Sequence, residues 1–218
     1  GESLPLGWAV DGTTGYDFLN QVNGVLVDGS SAAAFDRIYR HFIGAGVGFH
    51  NLANSAKKMI MLVSMASEIY SMSHHLERIA EKNRLYRDFT LNGLTFALRE
   101  VIAALPVYRT YIEGPDSVGK QDETYLDAAV AEAKRRNPRT AATIFNFIRD
   151  TLLLRNLDDF SEEARAMLVD SVLKFQQVTG PVMAKGVEDT AFYVYNRLIS
   201  LNEVGGHPEQ FGIPVEAF

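Results

Sequence analysis

The segment over 53–84 constrains the fold more than any other part of this chain. Apolar side chains at Met59, Leu62, Val63, Ala66, Ile69, Tyr70, Leu76 and Ile79 return at steps of three and four. That spacing puts them on one face and predicts a long helix. Such a face needs a partner surface, and the rest of the sequence is punctuated as further helices. Asp88 is expected to cap a second helix through Leu91, Leu94, Leu98, Val101 and Ile102, stopped by Pro106 and packed on the first. Gly114-Pro115-Asp116 and Gly119 mark a loop, Asp122 is expected to cap a run to Arg136, and Pro138 opens a run to about Leu154. Ser161 followed by Glu162 and Glu163 predicts a fifth helix to Val178, broken by Thr179-Gly180-Pro181. A sixth is expected over about 188–200. The best strand candidate is Gly24-Val25-Leu26-Val27-Asp28, bounded by turn residues. The expected class is mainly α, with about six helices and loop-rich ends.

Composition excludes several functions. With 218 residues, 47% of them hydrophobic, the chain can bury a substantial core and is not expected to be disordered. The longest apolar run, 59–66, contains Ser64 and is far short of the roughly 20 residues that cross a bilayer, so no membrane span is expected. The absence of cysteine excludes disulfides, thiolate catalysis and sulfur-ligated zinc, and leaves the cytoplasm as the default location. A net charge of −6, from 27 acidic and 21 basic side chains, opposes binding to phosphate backbones. No nucleic-acid or membrane partner is expected. The first residues, Gly1-Glu2-Ser3-Leu4-Pro5, and the turn-rich end at Phe218 lead us to expect an excised piece of a longer protein.

Few residues are placed for chemistry by spacing alone. His41, His50, His74, His75 and His207 form no metal-ligand pattern, and the adjacent His74 and His75 diverge by about 100° on a helix. Neither a metal nor a cofactor is expected. The basic cluster Lys134-Arg135-Arg136 with Arg139 reads as a helix end, where cations suit the dipole. More informative is Gly180-Pro181-Val182-Met183-Ala184-Lys185-Gly186-Val187-Glu188-Asp189-Thr190-Ala191-Phe192-Tyr193, which sets a lysine and two acids beside aromatics. Glu188 and Asp189 are adjacent and cannot face each other as a glycosidase pair. They serve either as helix caps or as ligand contacts. Asp11-Gly12-Thr13-Thr14-Gly15-Tyr16-Asp17-Phe18 is either an ordinary turn or a loop lining a polar pocket, and it is not a P-loop.

These segments carry a resemblance. Gly12-Thr13-Thr14-Gly15-Tyr16-Asp17-Phe18-Leu19-Asn20 with Gly24 and Asp28 forms one block. Tyr86-Arg87-Asp88-Phe89-Thr90 and Pro106-Val107-Tyr108-Arg109-Thr110-Tyr111 follow, then 176–193 and Asn202-Glu203-Val204-Gly205-Gly206. In order and spacing, these blocks resemble the maltooligosyltrehalose synthase family across the whole chain. Two positions depart from the family pattern: a basic residue commonly stands where Val194 does, and an acid where His207 does.

The resemblance implies an isomerase of the α-amylase superfamily. The family's reaction is an intramolecular transglucosylation that turns the reducing-end α-1,4 linkage of a maltooligosaccharide into the α,α-1,1 linkage of trehalose. It also implies that this chain is a helical insertion in a (β/α)8 barrel, with the catalytic carboxylates outside it, so that the chain alone is inactive. The expected division is a loop-rich segment leaving the barrel mouth over 1–50, a helical insertion over 51–178, and a return segment with the Lys-Gly-Val-Glu-Asp-Thr motif over 179–218. Loops on that barrel face build the active site. By motif position, Tyr16, Asp17, Lys185, Glu188 and Asp189 are expected to offer polar contacts to the maltooligosaccharide, and Phe192, Tyr193 or Tyr195 stacking or closure. No residue of the chain is expected to be catalytic. Arg87 and Arg109 are read as hydrogen-bond organisers between helices more readily than as sugar contacts. Two other readings are a free-standing helical module that binds a partner through apolar grooves, and a self-sufficient hydrolase pairing Asp17 with Glu188.

Overall fold

The computed structural model describes residues 7–12, 15–44, 46 and 48–217. The segment 1–5 and the pair Thr13-Thr14, both used above, lie outside them. Among the described residues the fold is mainly α without strands, built on eight helices of 9 to 22 residues: α1 Asp17–Val25, α2 Ala32–Ile43, α3 Phe49–Val63, α4 Ala66–Glu81, α5 Leu91–Ala104, α6 Lys120–Arg136, α7 Ala142–Leu152 and α8 Glu162–Met183. They fall into two compact units, one made of 1–56 with 185–218 and the other of 57–184.

The second unit is a helical bundle in which α5 packs on α4, α6 and α7, and α8 on α4 and α7. Its core gathers Ile69, Leu76 and Ile79 from α4, Leu94, Leu98 and Val101 from α5, Phe145 and Ile148 from α7, and Leu168 and Phe175 from α8. Tyr86 and Phe89 close one side on the Phe147 ring, at centroid distances of 4.8 and 5.6 Å. The loop between α5 and α6 is pinned by a buried carboxamide. Gln176 accepts the Ile112 N–H at 2.7 Å and donates to the Ile112 carbonyl at 2.9 Å, satisfying both backbone groups as a neighbouring strand would.

The long helix expected over 53–84 is interrupted at Ser64-Met65. The N–H groups of both residues donate to the Ile60 carbonyl, at 2.9 and 3.1 Å, and Met65 leaves helical geometry at φ −127°, ψ 29°. The interruption resets the phase of the face. Met61 is buried, while Met59, Leu62, Val63 and Tyr70 are 46%, 60%, 73% and 55% exposed and Ala66 is exposed as well, contrary to the expected stripe. Periodicity alone misses this because the residues on either side of the break are equally apolar.

Other boundaries shift for local reasons. Helix α5 is capped by Thr90, whose hydroxyl accepts the Gly93 N–H at 3.2 Å, and not by Asp88. Asp122 does serve the start of α6, but from the third helical position, accepting the N–H of Gly119 at 3.1 Å. Pro138 lies in a turn and α7 begins at Ala142, because Asn137 is drawn to the Ala133 carbonyl at 2.9 Å and to Glu100 at 2.8 Å. Ser161 caps α8 as expected. That helix continues through Pro181 to Met183. The carbonyl that Pro181 leaves without a donor belongs to exposed Gln177, so water can serve it. The expected helix over 188–200 is instead a π-helical segment, Ala184–Ala191, with one further turn, Phe192–Val194.

In the first unit the strand candidate at Gly24–Asp28 is the end of α1 and a turn. Asp28 accepts the Ser30 N–H at 2.9 Å and the Ser30 and Ser31 hydroxyls, so its side chain fixes a 3₁₀ turn, Gly29–Ser31, where a strand would need the backbone extended. Arg197, nearly buried, ties this unit together: it pairs with Asp36 of α2 at 3.0 Å, donates to the Pro208 carbonyl at 2.5 Å and lies 4.9 Å from the Phe211 ring centroid.

Candidate functional site

The motif 184–191 takes up the least common of the helical geometries. A π-helix closes each hydrogen bond over five residues instead of four, widening the turn, and such segments cluster at functional sites. Here Thr190 adds its hydroxyl to the Lys185 carbonyl at 2.7 Å, which anchors one turn of the segment. On its outer surface Lys185 and Asp189 form an ion pair at 2.5 Å. The carboxylate, by its hydrogen bond first and its charge second, holds the lysine ammonium above its usual range. Both side chains are well exposed, so the pair contributes little to stability and remains open to exchange with a hydroxyl-bearing ligand.

Glu188, one residue before Asp189, turns elsewhere. Its Oε1 accepts the N–H of Gly205 at 3.3 Å, joining the π-helical segment to the loop 202–206. Asn20 of α1 reaches the same loop: its Nδ2 donates to the Val204 carbonyl at 2.8 Å and to the Tyr16 carbonyl at 2.9 Å. Gly205 has φ +73°, a conformation that favours glycine. At Gly206 a Cβ would fall 2.8 Å from Asn20 Oδ1 and 2.8 Å from the Glu203 carbonyl oxygen, so only glycine permits this approach. A hollow of about 50 Å³ beside the loop is lined by Asn20, Asn23, Gly206, His207 and Gln210.

The structure therefore brings Tyr16, Glu188 and the 202–206 loop into one polar cluster. Asp17 is exposed in the first turn of α1, directly after Tyr16. The three aromatics separate. Phe192 and Tyr195 are buried and pack on Phe49, with ring centroids 5.7 and 5.3 Å away, and Tyr195 also meets Tyr39 edge-on at 5.4 Å. Burial raises the Tyr195 phenol above its ordinary value. Tyr193 is 78% exposed. Arg109 stays within its own loop, donating to the Thr110 carbonyl at 3.3 Å and lying 4.8 Å from the Tyr111 ring centroid. Of the two departures from the family pattern, Val194 is exposed and His207 lines the small hollow.

Sequence reasoning assigned no role to Asn20, Asn202 or Arg197. Asn202 donates its amide to the carbonyls of Phe192 and Tyr195, at 2.8 and 2.5 Å, and so terminates the short helical turn beneath the aromatics. The available signal was that both asparagines stand inside the quoted motif blocks. Arg197 carries no such mark.

Fold and site define a mainly-α domain with a polar cluster on a π-helical turn, and comparison with known proteins gives it a place. No family profile matches the chain. It is 27% identical over 217 residues to a Mycobacterium tuberculosis protein named as a maltooligosyl trehalose synthase, a match that takes in all of this chain and 25% of that one. Against the solved maltooligosyltrehalose synthase of Arthrobacter ramosus it is 32% identical with a TM-score of 0.78, over 99% of this chain and 24% of that one. A Sulfolobus tokodaii structure, described as a hypothetical maltooligosyl trehalose synthase, gives 26% and 0.61. The chain spans about a quarter of the length of the relatives it matches. It is homologous, end to end, to a segment of maltooligosyl trehalose synthase.

Proposed function

We propose that this chain is part of an intramolecular transglucosylase of the α-amylase superfamily that converts the reducing-end α-1,4 linkage of a maltooligosaccharide to an α,α-1,1 linkage. Its own part is to wall the substrate pocket as a helical insertion in a (β/α)8 barrel, while carboxylates outside the chain break the bond. Such a reaction releases a glucose that must turn and attack through its anomeric hydroxyl before water does, so the enclosing wall has to hold the sugar and keep water out. Lys185, Asp189, Tyr16, Glu188 and Asp17 offer polar contacts and exposed Tyr193 an apolar ring face, while Phe192 and Tyr195, buried on Phe49, hold the segment that carries it.

The observation that carries this reading is the exposed Lys185–Asp189 pair on a π-helical turn, in a chain whose relatives bear the name of this enzyme. Replacing Lys185 with Ala, or Asp189 with Asn, in the full-length enzyme is expected to raise glucose release relative to formation of the α,α-1,1 product. Unchanged partitioning in both variants would take the pair out of the pocket. The isolated chain is expected to show no turnover of maltooligosaccharides, and measurable turnover would contradict the placement of the carboxylates outside it.

A further inference from the structure

Two blocks that lie more than 180 residues apart in sequence, one ending at Asn20 and the other at 202–206, meet in a single clamp. We propose that Asn20 is a positioning residue for the transfer reaction: its carboxamide holds the 204–206 loop, and through the Gly205 N–H that loop holds the Glu188 carboxylate at its working position. The inference rests on the pocket reading above.

The geometry supports it at each link. Asn20 Nδ2 donates to two main-chain carbonyls, Tyr16 at 2.9 Å and Val204 at 2.8 Å, so the amide spans the start of α1 and the loop. The residue after Val204 then offers its N–H to Glu188 at 3.3 Å. A Cβ at position 206 would meet the Glu203 and Leu201 carbonyl oxygens at 2.8 and 2.9 Å and Asn20 Oδ1 at 2.8 Å, and Gly205, which donates its N–H to the carboxylate, takes the left-handed conformation. Asn20 therefore constrains the loop from one side and Glu188 from the other. A residue of this kind acts on how the sugar is held and contributes no proton or charge to the bond that breaks.

The test is a double-mutant cycle in the full-length enzyme, with the ratio of glucose release to α,α-1,1 product as the readout. Asn20→Asp keeps the shape and removes both donors, and Glu188→Gln removes the carboxylate. Each single variant is expected to raise the ratio by about three- to tenfold, the range that loss of an oriented hydrogen bond produces. The double variant should add little to Glu188→Gln alone, because contacts in one chain of bonds are not additive. A ratio unmoved by Asn20→Asp while Glu188→Gln moves it, or strictly additive effects, overturns the clamp and leaves the pocket reading intact. A ratio unmoved by Glu188→Gln removes Glu188 from the pocket and overturns the clamp with it. Gly205→Ala strains the same loop at its φ of +73° while keeping the Asn20 side chain, which its Cβ would meet at an ordinary 3.5 Å, and should shift the ratio in the same direction. If both Asn20→Asp and Gly205→Ala abolish the cooperative unfolding transition, the clamp serves folding alone and the proposal fails.

Discussion

Lys57 allows a stability prediction that reads the structure through pH. It sits in α3 with its side chain buried, and its Nζ donates to the Leu105 carbonyl at 3.0 Å, at the C-cap of α5. The contact matches a cation to the negative end of a helix. Burial nevertheless dominates and lowers the ammonium from 10.5 to about 8. In the unfolded chain the same group keeps its proton to near 10.5, so between about pH 8 and 10.5 the unfolded state binds more protons than the folded one. Stability from this group therefore rises with pH across that window, and below about pH 8, where both states are protonated, the full cost of burying the charge is present. At about 1.4 kcal/mol per pH unit, the cost is about 3 kcal/mol, most of it relieved by pH 10. The assay compares wild type with Lys57→Met by urea denaturation at about pH 7 and about pH 10, followed by far-UV circular dichroism. Taking the difference between the two proteins at each pH cancels the other titrating groups. That difference should move by about 2 to 3 kcal/mol in favour of wild type on going to the higher pH. A difference that stays constant, or moves the other way, would refute the view that Lys57 is a buried cation held against its solvation.

Further substitutions test the packing within each unit. Phe147→Ala opens a cavity under Tyr86 and Phe89 and should lower the stability of the 57–184 unit by about 3 to 5 kcal/mol, read from the urea midpoint at constant slope. Arg197→Leu leaves Asp36 without its partner and the Pro208 carbonyl without its donor, and should cost about 3 kcal/mol; Arg197→Lys should recover only part of that, since an ammonium cannot reach both at once. Gly212→Ala places a Cβ 2.7 Å from the Val27 carbonyl oxygen at a φ of +81°, and should destabilise by at least about 1 to 2 kcal/mol in the same assay, whereas Gly7→Ala, with open space around it, should be neutral.

What the sequence made legible follows the range of the forces involved. Signals that act within one turn were readable: Ser161 caps α8, and the α5 stripe Leu94, Leu98, Val101 and Ile102 is buried. Decisions taken by tertiary contacts were not. The start of α7 is displaced because Asn137 is claimed by Glu100, a residue 37 positions away. The break after α3 carries no proline or glycine, since Ser64 and Met65 share the Ile60 carbonyl and no local rule forbids the continuation. Pro181 shows the converse, a breaker overruled because the carbonyl it orphans belongs to an exposed turn. The candidate site divides along the same line. Motif position named Lys185, Glu188 and Asp189, and a lysine four residues before an aspartate already suggests an ion pair on one face. Their separation into an exposed pair and a tethered carboxylate depends on the wider π-helical turn and on a loop closed by Asn20, neither of which has a local signature. A carboxylate fixed by a backbone N–H from a loop that itself hangs on an amide from another helix has its position set by three segments at once. That is the condition under which a flexible side chain can hold a hydrogen-bond partner in one orientation, because the entropy of holding it in place has already been lost on folding.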